Sequence, residues 1–263
     1  MRKLPTSDPA SKFALRILSL GLSLLLAINI AFGATDGATI LGHAQLAQAV
    51  YDATGNTTPE GWNRAGDPIL GNTGFKAAVF ERTKPDGRVE RVLTFAGTDD
   101  LADWAVNIDQ AILGPGDFLG IGPNTQYQQA LNLATSEVLK ASSDGNVDLS
   151  ITGHSLGGSL AQYASMMTGT EAVVFNSAGV NTLFENIPFK DSAGNLITNI
   201  QMRGDLISQG LSPLGQYGKI YEINPVPGRV APLLTDPSTS IADAIKKSIP
   251  FYNSASDLYS RYE

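Results

Sequence analysis

The sequence predicts an α/β protein in which a mostly parallel sheet carries helices on both faces. Apolar, strand-like runs alternate with amphipathic, helix-like runs, which is the pattern of parallel sheets covered on both sides. One apolar run leads through a glycine-rich turn directly into an alanine-containing helix-like run. The 263 residues, 43% hydrophobic and 16% charged, suffice for one sizeable core.

Hydrophobic spacing and turn residues define the predicted elements. Lys84-Pro85-Asp86-Gly87 has turn chemistry and predicts a hairpin between the first two strands. The predicted elements are a helix over 39–53, strands over 75–82 and 88–95, a helix from 127 to 138, a strand from 147 to 153, a helix over 155–167, strands over 171–176, 197–202 and 219–223, and a helix over 241–247.

The first 33 residues have the pattern of a secretory signal peptide. Basic residues, among them Arg2 and Lys3, precede an apolar run over 17–32, and Ala31 and Gly33 offer small side chains before a cleavage site. We therefore expect residues 34–263 to form a single domain that is secreted or periplasmic. The alternative is an uncleaved leader that anchors the protein in a membrane, because the run approaches a spanning length of about 20 residues.

The charge balance of the remaining chain is acidic. Residues 34–263 carry 14 basic and 24 acidic residues, a formal charge of −10. An anionic surface argues against nucleic acid as a partner. The chain has no cysteine, which excludes disulfides and thiol chemistry, and we expect no metal or cofactor.

The segment Gly153-His154-Ser155-Leu156-Gly157 matches the nucleophile elbow Gly-x-Ser-x-Gly in its expected strand–turn–helix context. The turn lifts the Ser155 hydroxyl above the sheet at a helix N-terminus, where developing negative charge is favoured. Side chains at Gly153 and Gly157 would collide with the adjoining strand and helix. The backbone N–H of Leu156, the residue after the nucleophile, is the first predicted oxyanion donor.

An upstream motif makes the pattern more specific. Phe95-Ala96-Gly97-Thr98, followed by Asp103-Trp104, ends an earlier strand, and the elbow continues as Gly-His-Ser-Leu-Gly-Gly. This pairing resembles the class 3 lipases, α/β-hydrolases that cleave acylglycerols and, in some branches, phospholipids. The resemblance implies an α/β-hydrolase fold and a second oxyanion donor at Thr98. The family usually has Arg where this chain has Ala96.

The acid of a serine hydrolase of this type follows the nucleophile, at the end of a later strand. Asp205 comes directly after the predicted strand over 197–202, in a context similar to that of the class 3 acid. The alternative is Asp191, but its neighbours resemble a solvated turn. We therefore predict Asp205 as the acid, and a turn-forming Asx residue is its structural alternative.

The general base is the part of the site that the sequence leaves open. The chain contains only two histidines. His154 lies inside the elbow, where packing is its expected role, and His43 lies on the first helix, upstream of the nucleophile. In class 3 lipases the base is a histidine near the C-terminus, and Lys247 occupies the corresponding position here. The three alternatives are Lys247 as substitute base, His43 as substitute base, and loss of turnover. A solvated lysine on a helix is the structural interpretation of Lys247.

The motifs together predict an exported serine ester hydrolase that cleaves lipid or other carboxylic esters through an acyl-enzyme on Ser155. The alternative is a lipase-fold binding protein that has lost its base. The loop over 109–124 contains apolar residues, and a lid that meets a lipid surface is one interpretation of it. The identity of the ester and the oligomeric state are not predicted.

Overall fold

The computed structural model describes residues 37–97, 126–180, 186–209 and 214–223. The predicted leader, the 109–124 loop and the 241–247 helix lie outside these ranges. The described elements are α1 (Gly37–Ala49), β1 (Asn63–Arg64), β2 (Ile69–Leu70), a 3-10 turn (Asn72–Gly74), β3 (Lys76–Thr83), β4 (Val89–Phe95), α2 (Gln126–Asp144), β5 (Val147–His154), α3 (Leu156–Thr168), β6 (Ala172–Phe175), a 3-10 turn (Lys190–Ser192), α4 (Ala193–Leu196), β7 (Ile197–Met202), α5 (Leu206–Gln209) and β8 (Lys219–Ile223). In this part of the chain, no helix has the length and apolar character needed to cross a bilayer.

The strands of the described ranges form one eight-stranded sheet. Its order is β1-β3-β4-β5-β6-β7-β8, with β2 beside β3. Strands β1, β2 and β4 pair antiparallel with β3, and every pair from β4 to β8 is parallel. The sheet is therefore mostly parallel, as predicted, and the predicted hairpin is β3–β4.

Helices cover both faces of the sheet, as predicted. Because side chains alternate along a strand, Ala77 and Val79 of β3 pack in the core layer beneath α2 and α3. Ala78 and Phe80 of the same strand pack in the opposite layer with residues of α1, such as Leu46. The sheet thus lies between α1 on one side and the α2–α3 pair on the other.

The hairpin turn is closed by its own backbone and tied to β5. Lys84 N–H donates to Arg88 O at 2.8 Å, and Gly87, with φ 84°, donates to Lys84 O at 2.9 Å. The Lys84 ammonium and the Arg88 guanidinium both bond to the Asp148 carboxylate. These bonds lower the pKa of Asp148 to about 2. The hairpin tip is therefore fixed to the start of β5.

Helix α1 ends at Ala49, earlier than the predicted residue 53. The Asp52 carboxylate accepts hydrogen bonds from Thr54 N–H at 2.9 Å and Thr57 N–H at 2.6 Å, which turns the chain away from the helix. The Arg64 guanidinium donates to Ala49 O at 3.0 Å and so satisfies a carbonyl at the helix end. This termination depends on a residue distant in sequence.

Candidate active site

The carboxyl ends of β4 to β7 form one edge of the sheet, and a notable residue follows each strand there. Gly97 follows β4, Ser155 follows β5, Asn176 follows β6, and Asp205 follows β7. Ligands of parallel α/β sheets bind at this edge. The two predicted residues with reactive side chains, Ser155 and Asp205, therefore lie at the same edge, separated by the single strand β6.

The backbone at Ser155 has the strained turn that the motif predicts. Ser155 has φ 57° and ψ −126°, a conformation that side-chain-bearing residues rarely adopt. Its N–H donates to Phe175 O at 3.2 Å, and its carbonyl accepts from Ala178 N–H at 3.1 Å. Strain of this kind persists only when surrounding structure over-determines it. The loop after β6 supplies that support.

The glycines of the elbow permit close approach of three backbone segments. A Cβ at Gly153 would overlap the carbonyl of Gly157, and a Cβ at Gly157 would overlap the carbonyl of Phe95. A Cβ at Gly158 would lie 2.8 Å from Cβ of Ser177. The predicted collisions with the adjoining strand and helix are confirmed, because only glycine lets α3 approach β4 and β5 so closely.

The Ser155 hydroxyl is buried and lies directly before the first turn of α3. Ser155 is 1% exposed, and its Oγ has no hydrogen-bond partner among the described residues. Leu156 is the first residue of α3, and N–H groups in the first helical turn have no partner within the helix. A developing oxyanion beside Oγ would therefore face the positive end of α3.

The backbone that follows β4 passes beside Ser155. A Cβ at Gly97 would lie 3.2 Å from Cβ of Ser155 and 2.8 Å from the carbonyl oxygen of His154. Thr98, the predicted second oxyanion donor, is the next residue and lies outside the described part of the chain. The described geometry thus brings the segment that leads into Thr98 against the elbow.

Tyr51 is a site residue that the sequence interpretation did not identify. Its hydroxyl accepts the Gly97 N–H at 3.0 Å and bonds to Nδ1 of His154 at 3.3 Å. Burial lowers the pKa of His154 to about 4, so its ring is neutral at neutral pH and Nδ1 can accept a hydrogen bond from the Tyr51 hydroxyl. Tyr51 therefore ties the end of β4 to the elbow. The sequence placed this residue only within the first predicted helix, over 39–53.

Ala96 packs where class 3 lipases usually carry Arg. It is buried in the core layer beneath α1, and its N–H donates to Lys76 O at 3.0 Å. With the next residue, Gly97, held by Tyr51, the backbone at the exit of β4 is fixed on both sides without an arginine side chain.

Asp205 lies at the carboxyl end of β7, in a turn closed by Asp205 N–H donating to Met202 O at 2.9 Å. The residue is buried, and its Oδ1 accepts Ser208 N–H at 2.7 Å and Ser208 Oγ–H at 2.9 Å. These bonds also cap the short helix α5. The rival Asp191 is exposed and precedes β7, which places it at the opposite edge of the sheet.

Neither described histidine is placed as a base for Ser155. His43 is buried, with Nδ1 2.8 Å from Thr39 O and Nε2 2.9 Å from Ser150 Oγ. Both ring nitrogens are thus engaged, and Ser150 lies five residues before Ser155 along the extended strand β5. Burial lowers the pKa of His43. These contacts describe a histidine that packs α1 on the sheet. Lys247 lies outside the described residues.

Comparison with known proteins decides the family. The model of the phospholipase-like family described as the Tle-like phospholipase domain matches residues 42–210, which is more than half of the chain. The chain belongs to this family. The prediction of a lipase-type family from the elbow and the Phe-x-Gly-Thr motif is confirmed.

Relatives of this chain include an extracellular phospholipase A1 of Serratia liquefaciens, 38% identical over an alignment of 150 residues, with 52% of this chain and 41% of the relative covered. The chain therefore matches about two fifths of that protein's length. Among solved structures, lipase II of Rhizopus niveus has a TM-score of 0.49 at 16% identity, covering 65% of this chain and 73% of its own. Rhizomucor miehei lipase in its propeptide complex has a TM-score of 0.46 at 13% identity, covering 72% and 63%.

The residues matched to the Tle-like phospholipase domain include most of the predicted site. Ser155, Leu156, Thr98 and Asp205 all lie within 42–210, whereas Lys247 lies beyond it. The described residues thus place a buried serine hydroxyl in a strained elbow, at a helix N-terminus and beside the end of β4.

Proposed function

We propose that this protein is an exported phospholipase-type serine ester hydrolase that forms an acyl-enzyme on Ser155. The observation that carries the proposal is the environment of the Ser155 hydroxyl. Its hydroxyl stands in a strained, buried elbow, without a hydrogen-bond partner among the described residues and next to the first turn of α3. A structural serine in such a place would satisfy its hydroxyl, because an unpaired buried polar group costs about 1–3 kcal/mol.

The proposed reaction begins when Ser155 Oγ attacks the ester carbonyl carbon and its proton passes to the base. The carbonyl oxygen becomes an oxyanion, which accepts hydrogen bonds from the Leu156 N–H and from Thr98. The intermediate collapses, the alcohol leaves with the proton from the base, and the acyl group stays on Oγ. Water then attacks the acyl group on Oγ in the same way and gives its proton to the base. The carboxylic acid leaves, and Ser155 Oγ takes the proton back. Asp205 is the proposed acid that orients and stabilises the protonated base.

Lys247 is the proposed base. Both ring nitrogens of His43 are hydrogen-bonded, one to Thr39 and one to Ser150 in β5. These bonds argue against His43 as the general base. A lysine accepts a proton from serine only if burial or a cationic neighbour lowers its pKa by more than the Asp205 carboxylate would raise it. The proposal therefore requires Lys247 to be desolvated beside Ser155.

The proposed substrate class is a phospholipid. The family is phospholipase-like, and the Serratia liquefaciens relative is a phospholipase A1. That relative is extracellular, which supports export of this chain through residues 1–33. The loop over 109–124 is the proposed contact with the lipid surface.

The full chain tests the substrate proposal directly. Phosphatidylcholine carrying different labelled acyl chains at sn-1 and sn-2 is incubated with the protein, and the released fatty acids are identified by mass spectrometry. We expect release of the sn-1 chain by the wild type and none by Ser155→Ala. Hydrolysis of p-nitrophenyl esters alone, without release from phosphatidylcholine, would contradict the phospholipid proposal but not the nucleophile.

Variants of the C-terminal lysines test the base. We expect Lys247→Ala to abolish ester hydrolysis and the neighbouring Lys246→Ala to leave it intact, with p-nitrophenyl butyrate as substrate. Equal activity of both variants would exclude Lys247 as base.

The second candidate function is a binding protein with the fold of a hydrolase. It is favoured by the histidine content, since neither of the two histidines lies where a base is expected. An inactive wild type that gains ester hydrolysis on Lys247→His would identify a lipase fold whose base has been lost. Inactivity of both proteins would favour the binding function.

A further inference from the structure

A cluster of three amide side chains lies between the nucleophile helix and the acid. Gln162 of α3 and Asn199 of β7 are fully buried, and Gln216 precedes β8. Gln216 Oε1 accepts Asn199 Nδ2–H at 3.0 Å and Gln162 Nε2–H at 3.4 Å. The Gln162 amide oxygen in turn accepts the Tyr217 N–H at 2.8 Å. The cluster thus connects α3, β7 and the segment before β8.

The amide nitrogen of Gln216 donates hydrogen bonds both to the loop after β6 and to the short helix α5. Nε2 donates to Ser177 O at 2.7 Å and to Ser208 O at 3.3 Å. Together with the two bonds to Oε1, Gln216 uses both of its amide protons and both acceptor positions. A satisfied network of this kind is rigid, because each bond restricts the orientation of the next.

Each carbonyl that accepts from Gln216 belongs to a residue that, itself or through its neighbour, is hydrogen-bonded to a proposed site residue. Ser177 is followed by Ala178, whose N–H donates to the carbonyl of Ser155 at 3.1 Å. Ser208 donates its N–H and its hydroxyl to the Asp205 carboxylate. Gln216 therefore connects the loop that holds Ser155 to the turn that contains Asp205.

We propose that Gln216 is a positioning residue that fixes the Asp205 turn relative to the Ser155 elbow. The inference rests on the proposed function, because it gives Gln216 a role in the same reaction. Gln216 acts through backbone groups, so it changes the geometry of the site without contributing a reacting atom. A misplacement of 1 Å far from the chemistry can lower a rate about 100-fold.

The test compares the full-chain protein with two variants that each lose buried hydrogen bonds. Gln216→Met keeps the length of the side chain and removes all four bonds. Ser165→Ala is the matched control, since Ser165 is buried on the same helix α3 and donates to Thr170 O at 2.6 Å, at the end remote from Ser155. Steady-state hydrolysis of p-nitrophenyl butyrate gives kcat and KM, and circular dichroism gives the folded fraction and Tm.

We expect Gln216→Met to lower kcat about 10-fold, with KM nearly unchanged, because the side chain holds the site geometry and does not touch the ester. Ser165→Ala should lower Tm and leave kcat at the wild-type value. Equal kcat in Gln216→Met and Ser165→Ala would overturn the positioning role, as would a change confined to KM. If Gln216→Met does not fold, Gln216→Asn replaces it, since the shorter amide cannot reach both carbonyls and the same loss of kcat is expected.

The proposed function fails in a different way from this inference. A wild type that does not hydrolyse the ester contradicts the catalytic role of Ser155 and removes the basis for the inference. An active wild type, an inactive Ser155→Ala and an unaffected Gln216→Met contradict the role of Gln216 alone.

Discussion

At the scale of single residues, the site depends on contacts between positions far apart in the chain. Tyr51 and Gly97 are bonded across 46 positions, and Tyr51 and His154 across 103. Through these bonds one hydroxyl connects the end of α1, the exit of β4 and the elbow. Loss of that hydroxyl should therefore release the segment leading to Thr98 while the hydrophobic packing of the ring remains.

We predict that Tyr51→Phe lowers kcat for p-nitrophenyl butyrate about 10-fold with little change in KM, since the hydroxyl positions an oxyanion segment. Tyr127→Phe is the control, because it removes a buried tyrosine hydroxyl that bonds to Ser159 Oγ beneath the other face of the sheet. The measurement is steady-state kinetics of both folded variants. Comparable kcat values for the two would show that the Tyr51 hydroxyl does not position the site.

The sequence predicted the positions of residues that follow from local order, and missed the contacts that arise only from folding. Ser155 was predictable because Gly-x-Ser-x-Gly requires a strained turn wherever a strand meets a helix so closely. Asp205 was predictable from its position after β7. Tyr51 and Gln216 carry no local motif, and their hydrogen bonds exist only once the sheet has assembled.

At the scale of elements, the site depends on how closely α3 packs on β4 and β5. Gly153 and Gly157 face each other across the elbow, and Gly157 also lies against the carbonyl of Phe95. A methyl group at either position meets backbone, which cannot rotate away as a side chain can. The packing of α3 therefore does not tolerate even one added methyl group at Gly153 or Gly157.

We predict that Gly157→Ala lowers the free energy of unfolding by about 3 kcal/mol or prevents folding, because its Cβ would overlap a backbone carbonyl. Gly194→Ala is the control, since among the described residues nothing beyond its chain neighbours and its own helix backbone lies within 4 Å of the added Cβ. Gly194 is exposed in the short helix α4, so alanine there should be neutral or stabilise by about 0.5–1 kcal/mol. Urea unfolding gives both values, and equal midpoints for the two variants would contradict the packing account.

Elements with strong local signals were predicted well, and those created by pairing were not. The β3–β4 hairpin follows from its turn residues and alternating strands, and β8 was predicted with its observed bounds. The two-residue strands β1 and β2 are too short to show a period and exist because they pair with β3. The end of α1 was misplaced because the apolar spacing continues past the Asp52 turn, and because Arg64, which contacts the helix end, is distant in sequence.

At the scale of the whole molecule, both histidines are buried in the folded state as neutral groups. Burial lowers the pKa of His43 and lowers that of His154 from 6.5 to about 4. In the unfolded chain each ring takes up a proton as the pH falls below about 6.5. The unfolded state then binds more protons than the folded state, so stability falls with acidification between pH 6.5 and pH 4.

We predict that the wild type loses roughly 2 kcal/mol more stability than His154→Gln when the pH falls from 7 to 4.5, since glutamine does not titrate. His43 remains in both proteins, so the difference isolates His154. Urea unfolding at the two pH values measures it. An equal loss in both proteins would mean that His154 is protonated in the folded state at pH 4.5.

The central claim is that Ser155 is a nucleophile, and its covalent labelling is the most direct test. The full chain and Ser155→Ala are treated with a fluorophosphonate, digested and analysed by mass spectrometry. We predict a phosphonate adduct on the peptide that contains Ser155 in the wild type and no adduct in Ser155→Ala. A folded wild type that remains unlabelled, or labelling that persists in Ser155→Ala, would contradict the assignment of this elbow as the active site.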